Sequence, residues 1–116
     1  MALITLWHNP RCSKSRETLD LLQSHGADVT VRRYLDDAPS IEEIRAALDI
    51  LAVAPIDMMR TGEAAFKSLD LTKSSPDEAL ITAMAQNPIL IERPIAFTET
   101  DAKIGRPPEA TLALLR

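Results

Sequence analysis

Leu3-Ile4-Thr5-Leu6-Trp7-His8-Asn9-Pro10-Arg11-Cys12-Ser13-Lys14-Ser15-Arg16 decides the architecture, because its character changes twice within a few residues. Leu3 to Trp7 is a short apolar, partly β-branched run, suited to a strand buried on both faces. His8-Asn9-Pro10 ends it, since proline withholds a ladder donor and asparagine favours turns. A helix is expected from about Ser13 to His25, with Thr18, Leu19 and Leu22 on one face and Gly26 placed as a left-handed C-terminal cap. Val29 to Tyr34 reads as a second strand, Val29 and Val31 alternating against Thr30 and Arg32. Strand, helix and strand in this order make a βαβ unit, expected to be parallel with a right-handed crossover.

Beyond this unit the chain reads as helical. Ser40 and Glu43 form a capping-box pattern ahead of Ile44, Leu48 and Leu51. Pro55 opens a short stretch through Met58, Met59 and Arg60, and another spans Glu63 to Leu69. Ser75, then Pro76 at the first helical position, then Glu78 signal a further helix that carries Leu80, Ala83 and Met84 and stops at Asn87-Pro88. Ile95 to Thr98 has strand character, Glu99 to Ala102 reads as a turn, and Lys103-Ile104 as a short returning strand. Pro107-Pro108-Glu109 begins a last helix through Leu112 and Leu115. The simplest closed arrangement is α/β, with a βαβ half and a ββα half sharing one four-stranded mixed sheet.

The 116 residues suffice for one domain. Apolar residues make up 46% and charged residues 26%, ordinary for a globular chain and wrong for a disordered one. Trp7, Tyr34, Phe66 and Phe97 are the only aromatic residues, so the core is aliphatic and a base-stacking surface is not expected. A net charge of −4 disfavours broad nucleic-acid binding. No apolar run approaches the ~20 residues of a membrane span, and Met1 leads directly into a strand rather than a secretory signal. With Cys12 the single cysteine, no internal disulfide can form, and a cytoplasmic location is expected.

Cys12 lies where a strand turns into a helix, outside the carboxyl end of the strand, the usual ligand position in open α/β sheets. A thiol there meets free backbone N–H groups at the positive end of the helix, which lowers its pKa. Arg11, Lys14 and Arg16 add positive charge, His8 adds a donor or a charge, and no acidic residue occurs between Met1 and Arg16. A lone cysteine is more often a small buried hydrophobe; here its polar, cationic neighbours favour a reactive thiol. A Cys-x-x-Cys pair is ruled out by Ser15, so any disulfide of Cys12 is intermolecular. The distance from Cys12 to Arg16 is too short for a tyrosine-phosphatase loop, so an oxyanion would recruit arginines from elsewhere. Arg60, Arg93 and Arg106, at loops or element ends, are the candidates, guanidinium being suited to tetrahedral anions. Any one of them is, taken alone, more often a solvated surface residue. His25 reads as an exposed helix-end histidine, Met58 and Met59 as core filler, and the acidic pairs Asp36-Asp37 and Glu42-Glu43 as turn and helix-start residues. One cysteine and two histidines offer no spaced metal-ligand set.

His8-Asn9-Pro10-Arg11-Cys12-Ser13-Lys14-Ser15-Arg16, Met59-Arg60-Thr61-Gly62-Glu63, Asn87-Pro88-Ile89-Leu90-Ile91-Glu92-Arg93-Pro94-Ile95 and Ile104-Gly105-Arg106-Pro107-Pro108 occur in an order that resembles the glutaredoxin-dependent arsenate reductase family, nearest its arsenate-reductase-like branch. The resemblance covers essentially the whole chain. It implies a single thioredoxin/glutaredoxin-like domain over 1–116, with a helical insertion at about 40–86 between the two halves. It implies Cys12 as nucleophile, Arg60, Arg93 and Arg106 as oxyanion ligands, His8 as a residue that helps keep the thiol ionised and Ser15 as a hydrogen-bond donor to the thiolate. Pro94 falls where such folds place a cis-proline.

The activity implied is reduction of arsenate to arsenite through a covalent adduct on Cys12, with glutathione as co-substrate, glutaredoxin as external reductant, no tightly bound cofactor, no metal and a monomeric enzyme. Arg11 before the cysteine and Ser13-Lys14 after it are bulkier and more basic than the family pattern, and that charge suits other anions, such as the carboxylates of glutathione. Two alternatives stand beside this reading. One is a monothiol oxidoreductase acting on glutathione mixed disulfides. The other is a non-catalytic regulator that binds a protein partner, although relatives of that kind commonly carry a Cys-x-x-Cys switch, which Ser15 argues against here.

Overall fold

A computed structural model of the chain describes residues 3–115. It divides into two compact units, one running up to Asp37 and resuming at Arg93, the other Ala38–Glu92. In the first, β1 (Leu3–Trp7), α1 (Ser13–Ser24), β2 (Asp28–Arg32), β3 (Ile95–Phe97) and β4 (Ala102–Ile104) are followed by a 3₁₀ segment, Pro108–Leu115. The four strands form one mixed sheet in the order β2-β1-β3-β4. β1 and β2 pair in parallel, with Leu3 opposite Asp28 and Trp7 opposite Arg32. The β1–β3 and β3–β4 pairs are antiparallel.

One face of this sheet carries Ile4, Leu6 and Ala96, which pack with Leu22 of α1 and Leu114 of the 3₁₀ segment into an aliphatic core. The opposite face of β1 begins with Leu3, 68% exposed, and an exposed Thr5. The run therefore is not buried on both faces along its length; only towards Trp7, 5% exposed, does the second face close. There the Trp7 and Phe97 rings lie 4.8 Å apart, and the Arg32 guanidinium sits 5.7 Å over the indole.

The second strand stops sooner than its sequence suggests. β1 ends at Trp7, the His8 amide donates the last bond to the Arg32 carbonyl (2.8 Å), and beyond it Arg33 and Tyr34 have no strand to pair with. The chain turns instead, the Asp36 and Asp37 amides donating to the Arg33 carbonyl, and Tyr34 is buried in that turn rather than in a strand. Gly26 takes the left-handed φ of 85° after His25 caps α1. The last segment is 3₁₀ rather than α-helical. The Thr111 hydroxyl donates to the Pro108 carbonyl (2.7 Å), the i−3 acceptor, and so competes for it with the backbone.

The second unit contains α2 (Ile41–Leu51), a short 3₁₀ turn (Pro55–Met58), α3 (Ala64–Ser68), α4 (Asp77–Gln86) and a further 3₁₀ turn (Pro88–Leu90). The capping box of α2 is formed: the Glu43 amide donates to Ser40 Oγ and the Ser40 amide to Glu43 Oε1. Ile44, Ala47 and Leu48 of α2 and Leu80, Ile81, Ala83 and Met84 of α4 are buried, as are Met58 and Met59. The start of α4 departs from expectation. Pro76 has ψ 145° and is itself the residue before the first helical one, while the Ser75 hydroxyl accepts from the Thr72 amide (2.9 Å) and closes the preceding turn instead of capping. Among the described residues no helix is long and apolar enough to cross a membrane.

Among the described residues of the first unit two bonds are cis, Arg93–Pro94 as expected and Arg106–Pro107 in addition. Gly105 joins these segments, its amide donating to the Pro94 carbonyl (2.8 Å). A Cβ on Gly105 would come within 2.7 Å of both Pro94 Cγ and Thr18 Oγ1. Neither neighbour can yield easily: Pro94 is a ring, and the Thr18 hydroxyl is held by the Lys14 carbonyl at 2.8 Å. Gly105→Ala is therefore expected to lower stability by about 1–3 kcal/mol through overpacking. Thermal unfolding checks this, and the loss should shrink in a Thr18→Ala background, where one of the two collisions is gone.

Candidate active site

The turn after β1 is held by Asn9 from three directions. Its backbone carbonyl accepts from the Cys12 amide (3.0 Å), its side-chain Oδ1 from the Arg11 amide (3.0 Å), and its own amide donates to Ser15 Oγ (3.0 Å). The Arg16 guanidinium closes the same turn by donating to the Pro10 carbonyl (2.9 Å). These bonds set Cys12 as the N-cap residue of α1, in extended conformation (φ −94°, ψ 123°).

Ser15 lies beneath the turn, fully buried, and its Oγ is 2.7 Å from His8 Nδ1. Burial, then the positive charges of Arg33 and Arg16, lower the His8 pKa from its ordinary value, so the ring is neutral at neutral pH and contributes a hydrogen bond rather than charge. The Ser15 hydroxyl has one proton to give. When His8 carries its proton on Nε2, Ser15 donates to Nδ1; when Nδ1 carries it, Ser15 accepts there and its proton is released for another acceptor.

Cys12 is a free, half-buried thiol. Burial alone pushes its pKa up, but the Ser15 amide, the Arg93 guanidinium by hydrogen bond and by charge, and the Lys14 amide outweigh that, and the net shift is downward. The sulfur makes no short capping bond of the ordinary kind; the Ser15 and Lys14 amides act as electrostatic donors at the start of the helix. Arg106 Nη2 donates to Sγ at 3.6 Å, and Arg106 Nε to the Arg93 carbonyl at 2.8 Å. The structure thus brings Cys12, Arg93 and Arg106 together, with His8 and Ser15 in the support beneath. Such a site can hold a thiolate nucleophile and place guanidinium donors against an anion bound at it.

Arg60 belongs to the other unit. There it follows the Met59–Ile91 bridge, its amide donating to the Leu90 carbonyl (2.7 Å). Its Nε and Nη1 donate to Glu63 (3.2 Å) and Glu92 (3.1 Å), so two carboxylates hold it. Lys14, expected to add charge beside the thiol, pairs with Glu17 at 3.5 Å. His25 is an exposed helix-end residue. Arg16, also expected to add charge beside the thiol, donates to the Pro10 carbonyl, while Asn9 and Arg33 were not evident as site residues from the sequence. An asparagine between a strand and a proline is itself a turn signal, but its three simultaneous bonds depend on the helix that follows.

A parallel βαβ half and an antiparallel ββ half on one sheet, with an ionisable thiol at the first helix start, define a thioredoxin-like thiol protein. The ArsC family model matches residues 7–114. An uncharacterized protein of Escherichia coli (strain K12), YfgD, is 45% identical over 114 residues, covering 97% of this chain and 96% of its own. An arsenate reductase of Haemophilus influenzae is 40% identical over 114 residues, covering 97% of this chain and 98% of its own. The solved arsenate reductase from Vibrio cholerae is 43% identical and superposes with a TM-score of 0.92 over 97% of this chain and 98% of that one. This chain belongs to the ArsC family.

Alkylation of Cys12 should accelerate with pH through a midpoint below the ~8.5 of a free thiol and then level off, because only the thiolate reacts. Arg93→Ala should move that midpoint upward, since it removes both a donor and a positive charge. A midpoint unchanged by the substitution would contradict the assigned electrostatics. Separately, Ser15→Ala strands His8 Nδ1 and the Asn9 amide, and urea unfolding should show a loss of about 1–3 kcal/mol.

Proposed function

We propose that this protein reduces arsenate to arsenite in the cytoplasm, as a monomer, through a covalent adduct on Cys12. Glutathione is the co-substrate, glutaredoxin the external reductant, and no cofactor is tightly bound. The observation that carries this reading is a thiol whose ionisation is favoured by Arg93 and the Ser15 amide, with the Arg106 guanidinium 3.6 Å from the sulfur. The arsenate reductases among its relatives support the choice of oxyanion.

In this reading the Cys12 thiolate bonds to arsenic(V), and an oxygen departs as water after taking up a proton. The guanidinium groups of Arg93 and Arg106 bind the oxyanion and stabilise charge as the bond forms. Glutathione thiolate next bonds to the Cys12 sulfur. The electron pair of the sulfur–arsenic bond passes to arsenic, which leaves as arsenite, and the two sulfurs remain joined as a mixed disulfide. A glutaredoxin thiolate then takes the glutathionyl group and releases Cys12 as thiolate. A chain with one cysteine needs this external step.

With glutathione, glutaredoxin and arsenate, turnover should be lost in Cys12→Ser. In Arg106→Ala it should fall on the order of 100-fold, the scale of one removed oxyanion donor. Activity on glutathionylated peptides without any arsenate turnover would replace this reading with the monothiol oxidoreductase.

A further inference from the structure

Beside the turn that carries Cys12 lies a cavity of about 300 Å³. One wall is the stretch His8 to Arg11 that follows β1; the other is Arg33, Leu35 and Asp36, which follow β2. It therefore opens outside the carboxyl ends of two neighbouring parallel strands, in the same unit as the thiol.

Its charges set it apart from the surrounding surface. Arg16 donates to a backbone carbonyl, while Arg32 and Lys14 pair with carboxylates. Among the described residues, the side chains of Arg11, Arg33 and Asp36 engage in no hydrogen bond or ion pair. The cavity thus presents two guanidinium groups and one carboxylate without partners, over a wall of Pro10 and Leu35. His8, also in the wall, is neutral for the reasons given above and adds a polar edge without charge. An oxyanion such as arsenate is much smaller than this space and carries no cationic group to match Asp36. A ligand with two carboxylates, one ammonium and a short peptide body matches the charges in sign and number, and a volume of ~300 Å³ is at the small end of ligand cavities.

We propose that this cavity is the binding site for the thiol co-substrate, a γ-glutamyl tripeptide of the glutathione type. Arg11 and Arg33 hold its carboxylates and Asp36 its α-ammonium. Cys12 is not itself in the lining, but Arg11 immediately precedes it in the same turn, so the cavity adjoins the segment carrying the sulfur with which the peptide must form a disulfide. The assignment deepens the reductase reading and rests on it for its biological sense, but the binding itself is separable from that reaction.

S-methylglutathione, which has no free thiol, is the probe, titrated into the full chain by calorimetry and followed by amide NMR. Saturable binding in the millimolar range or tighter is expected, with shifts centred on Arg33 to Asp36. It should survive in Cys12→Ser, weaken about tenfold or more in Arg33→Glu, and be largely retained in Arg33→Lys. Glutathione with its glycyl carboxylate esterified should bind more weakly. Absence of saturation, shifts centred elsewhere, affinity unchanged in a folded Arg33→Glu, or equal displacement by inorganic phosphate would each overturn the assignment. Since no arsenate enters the experiment, loss of the arsenate reading leaves its outcome unchanged. Arsenate turnover with no S-methylglutathione binding would refute the subsite alone.

Discussion

A sulfur drawn partly out of water keeps a negative charge only where fixed donors replace the water it has lost. For Cys12 burial works against the thiolate, and the Ser15 and Lys14 amides and the Arg93 guanidinium reverse the balance. Those donors reach the sulfur from opposite ends of the sequence. The amides come with α1, directly after β1. Arg93 and Arg106 come from the segments flanking β3 and β4, and Arg106 is tied to Arg93 through its carbonyl. The mixed sheet is what makes the meeting possible, since β1 is the neighbour of both β2 and β3. Gly105 removes the last obstacle: with no Cβ, it lets the turn carrying Arg106 close on Pro94 and on Thr18 of α1.

A fixed donor is useful only if its loop does not relax, and the turn at His8 to Cys12 is overdetermined for that purpose. Asn9 ties the backbone on both sides, Arg16 ties Pro10, and Ser15 reaches up from the helix. The neutral state of His8 fits this role. A charged imidazole between Arg16 and Arg33 would be repelled by both, whereas a neutral one can share a proton with Ser15. The pair acts on Cys12 through the geometry of the loop, and the positive charge at the sulfur comes from the guanidinium groups.

Much of this is legible in the sequence. The strand–turn–helix order of Leu3 to Arg16, the Ser40–Glu43 box and Gly26 are local signals whose partners lie within a few residues, and each element appears where it is read, although the outer face of β1 is open at Leu3 and Thr5. Failures came where a distant partner decides. β2 ends at Arg32 because β1 has nothing further to offer, a limit invisible in Val29 to Tyr34 themselves. Ser75 has a capping residue's chemistry but an earlier amide, that of Thr72, claims its hydroxyl. At the site, the cysteine with its cationic neighbours could be read from one segment. Arg33, which faces the same turn from just beyond the end of β2, became visible only once the parallel register was known.

The chain's net charge of −4 looks at odds with a site for anions, and the range of electrostatics in salt water resolves this. Exposed charges separated by more than about 8–10 Å are largely screened at physiological ionic strength, so an anion at Cys12 responds to its near neighbours more than to the whole surface. Those neighbours are Arg93 and Arg106, with Arg11 and Arg33 in the adjoining cavity, and the acidic residues within this set reduce to Asp36. Lys14, which also sits by the thiol in sequence, is drawn to Glu17 on the exposed side of α1. Sequence proximity to the cysteine is therefore a poor guide to which cations act on it: Arg93 and Arg106, brought in by the sheet, act on the sulfur, while Lys14 does not lie free beside it.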